Sequence, residues 1–357
     1  MKTSTFSVTG SAQGHHRASR AFGVFGLASL GRAALRPLLD RLLKRWLAQV
    51  QHGTVLVTLP DGRTLEGRGP LPGPQAALHL HRWRALARLA LGGDLGLAEA
   101  YRDGDWTTPD LTALLLFGCH NEAAFGANLA PSWPKRLASR LVHRLRDNTR
   151  RGSRRNIAAH YDLGNDFYAR WLDPALIYSS ALYPDDDASG TTLEQAQAAK
   201  LQRIIELLDL PGLGADGSVL EIGCGWGALA LAIAQQAAVP VHGITLSREQ
   251  LAHAQQRVRD EGRAMQIDLR LQDYRDLQGT HERIVSIEMF EAVGERHWPQ
   301  YFDTLRRSLR PDGVAVLQVI TIDEAHFDHY RREPDFIQRY IFPGGMLPSV
   351  TALGEQA

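Results

Sequence analysis

From residue 192 onward the chain alternates between two apolar periods, and that alternation predicts a layered α/β domain. TLEQAQAAKLQRIIELLDL (192–210) places its apolar residues at helical spacing and ends at Pro211-Gly212. Short aliphatic runs follow at 218–222, 240–247, 267–273, 283–289 and 314–322. Runs of this length, rich in Val and Ile, suit strands buried on both faces. Between them, 228–237, 248–262 and 297–313 read as helices, the last leaving through Pro311-Asp312-Gly313. Five strands alternating with helices predict an open, mainly parallel, Rossmann-like sheet with right-handed crossovers. Upstream, TVLVTLPDGRTLEG (54–67) alternates apolar and polar positions around Asp61-Gly62, a hairpin signal. Helix-rich sequence then continues to about residue 128, giving a smaller α+β N-terminal domain.

Composition narrows the class. A chain of 357 residues with 44% hydrophobic content suits two domains, and a net charge of +1 gives no global attraction to nucleic acid. Cys119 and Cys224 are the two cysteines, too few for a disulfide framework and consistent with a reducing cytoplasm. No apolar run reaches the ~18–20 residues that span a bilayer. AFGVFGLASLG (21–31) is broken by glycines and lacks a clear cleavage site, so secretion is not expected. The expected organisation is a disordered stretch over 1–20, an N-terminal lipid- or substrate-associated domain over 21–130, a basic linker over 131–155 and the α/β domain over 156–357.

Local charge adds a surface. Residues 135–155 hold nine Lys or Arg against the single acid Asp147, with Leu137, Leu141, Val142 and Leu145 at helical spacing. Such a basic amphipathic helix suits an anionic membrane surface. Residues 32–50 repeat the theme, with Trp46 as an interfacial anchor; one such segment alone reads better as an ordinary domain helix with a solvated face, but two with an arginine-rich tail favour an acidic surface.

The candidate chemistry sits at the strand ends, where open parallel sheets bind their ligands. VLEIGCGWG (219–227) runs a strand into Gly223-Cys224-Gly225 and then a helix, so a ligand can approach the backbone at a helix N-terminus. The Gly-x-Gly-x-Gly spacing differs from the dinucleotide fingerprint and from the phosphate loop. Glu221 suits a ligand bearing a positive charge or an amino group. After strand two, Thr245, Ser247 and Gln250 serve either ribose hydroxyls or the cap of the next helix. After strand three, Asp273 offers an acceptor to an adenine amino group and Tyr274 a ring to stack on it. After strand four comes Glu288-Met289-Phe290-Glu291, a carboxylate segment that is a candidate base or a solvated loop. Asp185-Asp186-Asp187 reads as a solvated loop, and no metal site is expected.

Together AHYDLGNDFY (159–168), IYSSALY (177–183), LEIGCGWG, GITLSREQ (243–250), FEAVG (290–294) and IFPGGMLPS (341–349) resemble the cyclopropane-fatty-acyl-phospholipid synthase family, which includes the mycolic acid cyclopropane synthases. The resemblance covers about residues 156–350. GLAEAYRDGDW (96–106) extends it weakly into the N-terminal domain, as in the longer, phospholipid-using branch. It implies a class I methyltransferase fold with S-adenosylmethionine as cofactor. Gly223, Cys224 and Gly225 would hold the aminocarboxylate side, with Tyr178 and Ser179 closing over it. Thr245, Leu246 and Gln250 would take the ribose, and Asp273 with Tyr274 the adenine.

The implied reaction begins when a cis double bond attacks the sulfonium methyl. The resulting cation loses a proton from that methyl and closes to a cyclopropane. The family's base is thought to be a bound bicarbonate, held by a Cys, a Glu, a His, a backbone group at an Ile and a late Tyr. Here the corresponding catalytic positions are Ser180, Glu291, Gln318 and Ile320, and Ala292 stands where a histidine is usual. The late tyrosine and a final strand hairpin would lie beyond Ala357, which would leave strand five as an edge and implies weak turnover. The altered shell leaves room for a methyl branch, another acceptor, or a non-catalytic lipid-binding remnant. Expected partners are unsaturated phospholipid acyl chains at an anionic membrane surface, with a homodimer left open and nucleic acid excluded. The expected location is cytoplasmic and peripheral to the membrane.

Overall fold

Leu59 and Arg63 close the turn that the alternation predicts: the Leu59 N–H donates to the Arg63 carbonyl at 2.7 Å, and Gly62 occupies φ +85°. The computed structural model describes residues 25–125, 148–161, 163–184, 190–213 and 217–357. The expected disordered stretch, the basic run as far as residue 147 and Asp185 to Asp187 lie outside the described residues. The chain divides into two units, 1–130 and 131–357.

In the first unit, α1 (Phe25–Leu47) precedes β1 (His52–Thr58), β2 (Thr64–Arg68) and β3 (Leu71–Leu80). After α2 (Arg84–Arg102) come β4 (Trp106–Thr107) and α3 (Leu111–His120). The sheet order is β2-β1-β3-β4. Trp46 is not an interfacial anchor: with Leu42 and Leu47 it packs against a core containing Leu39, Leu43, Val55 and Val57. An amphipathic face needs an apolar partner, and this sheet supplies it. The GLAEAYRDGDW stretch is likewise structural. Asp105 is fully buried and pairs with Arg82, Arg84 and Arg88 at 3.1, 2.7 and 3.2 Å. The Trp106 indole donates to the Leu97 carbonyl at 2.8 Å.

Among the described residues, the second unit opens with α4 (Arg150–Tyr161) and α5 (Leu193–Leu208). Thr192 and Gln195 cap α5 reciprocally, satisfying two backbone donors at its start. Then alternate β5 (Val219–Ile222), α6 (Ala228–Gln236), β6 (Val241–Thr245), α7 (Arg248–Asp260), β7 (Ile267–Leu271), β8 (His281–Ile287), α8 (Trp298–Ser308), β9 (Leu309–Gln318) and α9 (Glu324–Arg332). All four pairings are parallel, in the order β7-β6-β5-β8-β9. The expected α/β sheet is therefore present.

One boundary needs correction. Pro311-Asp312-Gly313 does not lead out of a helix: α8 stops at Ser308, and the three residues lie within β9. Leu309 pairs with His281 and Val314 with Arg283, so residues 310–313 bulge from the ladder, with Asp312 at φ +65°. Chain order reverses at β5, which places a switch point between the carboxyl ends of β5 and β8. Crevices of this kind hold ligands in doubly wound sheets.

Candidate active site

The glycine end of the crevice is built on β5. Val219, Leu220 and Ile222 are buried on both faces, and Glu221 is carried inside with them at 4% exposure. Its Oε2 has no hydrogen-bond partner among the described residues, and burial pushes its carboxyl up to about 7. Lys200 of α5, 5% exposed, faces it and donates from Nζ to the Ser179 hydroxyl at 2.8 Å. Burial brings the Lys200 ammonium down to about 8, against the attraction of Glu288, Glu221 and Asp173. For both groups desolvation outweighs their mutual attraction.

The chain then turns through Gly223 at φ +88° and Gly225 at φ +52°, conformations that side chains resist. A Cβ at Gly223 would also meet the Met289 Cγ at 3.0 Å. The Gly223 and Cys224 N–H groups both donate to the Ile244 carbonyl, at 2.9 and 3.0 Å, tying the turn to β6. Burial raises the Cys224 thiol well above its ordinary range, so this residue offers backbone rather than a nucleophile. At the end of β6 the helix-cap reading of the sequence is met. Ser247 caps α7 through the Gln250 N–H at 3.2 Å, while the Thr245 hydroxyl donates to the Gln250 Oε1 at 2.9 Å. Thr245, Leu246 and Gln250 all line the cavity.

Asp273 departs from expectation. At 1% exposure it does not line the cavity, because its carboxylate is committed to Arg275. Nε and Nη2 of Arg275 donate to its two oxygens at 2.8 and 2.7 Å, and the Arg275 N–H to one of them at 3.0 Å. Arg275 in turn donates to the Asn148 carbonyl and the Ser153 hydroxyl at 2.9 and 3.1 Å. The wall expected of Asp273 is supplied by Gln272, Tyr274 and Arg275.

The opposite end is formed where β8 and β9 finish. Glu288 adopts φ +47°, a region few non-glycine residues visit. Its Oε1 accepts from the Ser180 N–H and from the Gln318 amide, each at 2.8 Å, while the same amide donates to the Ser180 hydroxyl at 2.9 Å. Gln318 does not itself line the cavity but braces two residues that do. Glu291 accepts the Ile320 N–H on Oε1, and its buried Oε2 has no partner among the described residues. Burial, with a smaller contribution from the Glu288 charge, lifts the Glu291 carboxyl to about 7. The IFPGGMLPS stretch closes over this corner: the Met346 N–H donates to the Glu291 carbonyl at 2.8 Å, and Asn148 to the Gly344 carbonyl at 2.7 Å. Tyr178 lines the cavity and stacks on His160, ring centres 5.6 Å apart.

One cavity of about 680 Å³ joins the two ends, reaching from Glu221 and Gly223 to Glu288, Glu291 and Ile320. Its remaining wall is apolar, including Trp171, Ile337, Phe342 and Met346. Of the residues expected in a site, all but Ser247, Asp273 and Gln318 line it. Lys200 is one polar residue that the sequence reading missed. Its signal was present: Ala196, Lys200, Ile204 and Leu208 form one buried stripe on α5, so the lysine stands on an apolar face.

Residues 148–357 match the family model described as mycolic acid cyclopropane synthetase. The tuberculostearic acid methyltransferase UfaA1 of Mycobacterium tuberculosis is 37% identical over 90% of this chain and 74% of its own length. The cyclopropane-fatty-acyl-phospholipid synthase of Escherichia coli is 37% identical over 76% of this chain and 66% of its own. Among solved structures, the mycolic acid cyclopropane synthase CmaA1 complexed with SAH and CTAB aligns with a TM-score of 0.51 and 35% identity, over 57% of this chain and 72% of that one.

Proposed function

The chain belongs to the mycolic acid cyclopropane synthetase family of S-adenosylmethionine-dependent methyltransferases, and from that premise we propose that it adds one carbon to the cis double bond of an unsaturated phospholipid acyl chain. The observation that supports this most is the continuity of the cavity. A polar cradle at one end, a carboxylate corner at the other and an apolar wall between them suit a cationic cofactor beside an alkene. The residues fit S-adenosylmethionine. The orphaned Glu221 oxygen faces the cradle as an acceptor for a cation, and the open space at Gly225 admits a ligand against backbone. Tyr178, Ser179, Thr245, Leu246, Gln250 and Tyr274 would complete its enclosure. When bound, the cofactor supplies an electrophilic methyl group. Trp171, Phe342 and Met346 would hold the acyl chain and exclude water, so that alignment and desolvation carry much of the rate.

A second reading concerns the product. Ser180, Gln318 and Ala292 depart from the family's anion-binding residues, and a tuberculostearic acid methyltransferase matches 90% of the chain. Both observations favour an unsaturated methylene branch over a ring. The two outcomes add the same CH₂.

Exposed Arg151, Arg154 and Arg155 continue the basic run and would bring the site to an anionic lipid surface. Among the described residues, no helix is long and apolar enough to cross a membrane. The test is incubation with S-adenosylmethionine and vesicles of oleoyl phosphatidylglycerol or oleoyl phosphatidylcholine. The expected result is an acyl mass increased by one CH₂, faster on the anionic vesicles, with proton NMR separating ring from methylene. Absence of any product from either vesicle would reject the reading.

A further inference from the structure

The carboxylate end does not fit a bound bicarbonate. Three of the donors that would face such an anion are already occupied by the chain's own acids: the Ser180 N–H and the Gln318 amide by Glu288, and the Ile320 N–H by Glu291. A further anion would lie beside two carboxyl groups, with no histidine at 292 or 318, and like charges at close range disfavour one another.

We infer that Glu288 takes the anion's place and is itself the proton acceptor of the reaction, an inference that rests on the function proposed above. Two features of the structure bring its carboxylate there. Both donors converge on Oε1, and among the described residues Oε2 accepts no hydrogen bond, so one oxygen is anchored and the other is available to the cavity. The backbone at φ +47° is an unfavourable conformation for glutamate, held by the Glu288 N–H donating to the Gln318 carbonyl at 2.8 Å. Strain of this sort persists where the surroundings over-determine it, and it clusters at functional sites.

The step balances without an external ion. The alkene π pair forms a C–C bond to the methyl carbon as the C–S bond breaks, leaving a thioether and a carbocation on the acyl chain. A C–H bond of the transferred methyl then breaks and its proton goes to Glu288. That electron pair closes the ring or, after a hydride shift between the two former alkene carbons, forms an exocyclic C=C bond. One proton leaves the methyl in either case, so the role of Glu288 is independent of the product.

Glu288→Gly is the informative variant, because glycine accepts φ +47° and vacates the anion position without breaking the fold. The first measurement is ¹³C-bicarbonate NMR titration of the S-adenosylmethionine-loaded protein, which needs no turnover. The expected result is no binding to the native chain and binding to Glu288→Gly; bicarbonate binding to the native chain overturns the inference. The second is turnover on oleoyl phosphatidylglycerol vesicles in CO₂-free buffer. The native rate should not depend on added bicarbonate, whereas Glu288→Gly should lose about 10²–10⁴-fold, the range for a general base, and recover in part with bicarbonate. A native rate that collapses without bicarbonate, or a Glu288→Gln variant with full activity, also overturns it. A native chain that binds no bicarbonate yet converts no lipid would instead reject the proposed function.

Discussion

At the glycine end of the cavity the wall proposed for the cofactor is backbone, and the side chains behind it are committed to one another. Gly223 and Cys224 bond to Ile244, Thr245 to Gln250, and Ser247 to the start of α7. At the carboxylate end the contacts run between side chains and loop backbone just beyond β8 and β9: Glu288 with Ser180 and Gln318, and Glu291 with Ile320. Backbone geometry is fixed by the strand register, so the first end can change only by disrupting the sheet. Side chains at strand ends can be exchanged one at a time. A site built this way keeps its cofactor while its base, and with it the chemistry after methyl transfer, is free to vary.

Exchanging residues at the two ends should therefore have unequal effects on the cofactor. Gly223→Val forces a β-branched side chain into φ +88° and against Met289 at 3.0 Å. Left-handed strain of about 1–2 kcal/mol adds to this overlap, and the loop must move to shed both. S-adenosylmethionine affinity should drop by about 100-fold, or about 2.7 kcal/mol. Gln318→Ala should leave that affinity within about twofold, because a surface-type polar contact away from the ligand moves energies by less than ~0.5 kcal/mol. Calorimetry on both variants checks the contrast, and equal losses would mean that the two ends are not independent.

The same division explains what could be read from the sequence. The five strands, the glycine turn and the cap at Ser247 were legible because each follows from local rules of periodicity, turn chemistry and helix ends. The bulge at 310–313 was not, since Pro-Asp-Gly signals a turn equally well inside a strand and after a helix. Trp46 looked interfacial only because its partner sheet lies later in the chain. Asp273 was assigned to a ligand because no local rule shows that Arg275, two residues on, folds back to bind it. Glu288 stood in plain view beside Glu291, but its partners Ser180 and Gln318 are 108 and 30 residues away.

Asp273 offers a second test on the glycine side. Asp273→Asn leaves the Arg275 guanidinium buried without its counter-charge and loosens its hold on Asn148 and Ser153. Removing one partner of a buried pair should reduce stability by about 3 kcal/mol, read as a lower urea midpoint at unchanged slope. S-adenosylmethionine affinity of the remaining folded protein should change little. The opposite pattern, native stability with weakened cofactor binding, would return Asp273 to the ligand and make the glycine end less self-contained than the structure shows.

The smallest expected effect is in the pH dependence of folding, where the two ends share one direction. Glu221 and Glu291 both have an ordinary value of 4.5 and are lifted to about 7 in the folded chain, chiefly by burial. Between those values the folded state keeps a proton that the unfolded state has released. Stability must then fall as pH rises from 4.5 to 7, and below 4.5 neither group contributes. Lys200, lowered from 10.5 to about 8, acts in the other direction, since its penalty is relieved as pH rises from 8 to 10.5. The ligand-free protein should accordingly show a shallow stability minimum between pH 7 and 8. Glu291→Gln removes the carboxylate end's share and keeps an acceptor for the Ile320 N–H. It should therefore gain about 1–2 kcal/mol relative to the native chain at pH 8 and nothing at pH 4. Urea midpoints at the two pH values decide the matter. An equal gain at both would trace the effect to packing, and no gain at either would mean that Glu291 is relieved of its burial penalty by a partner at the carboxylate end.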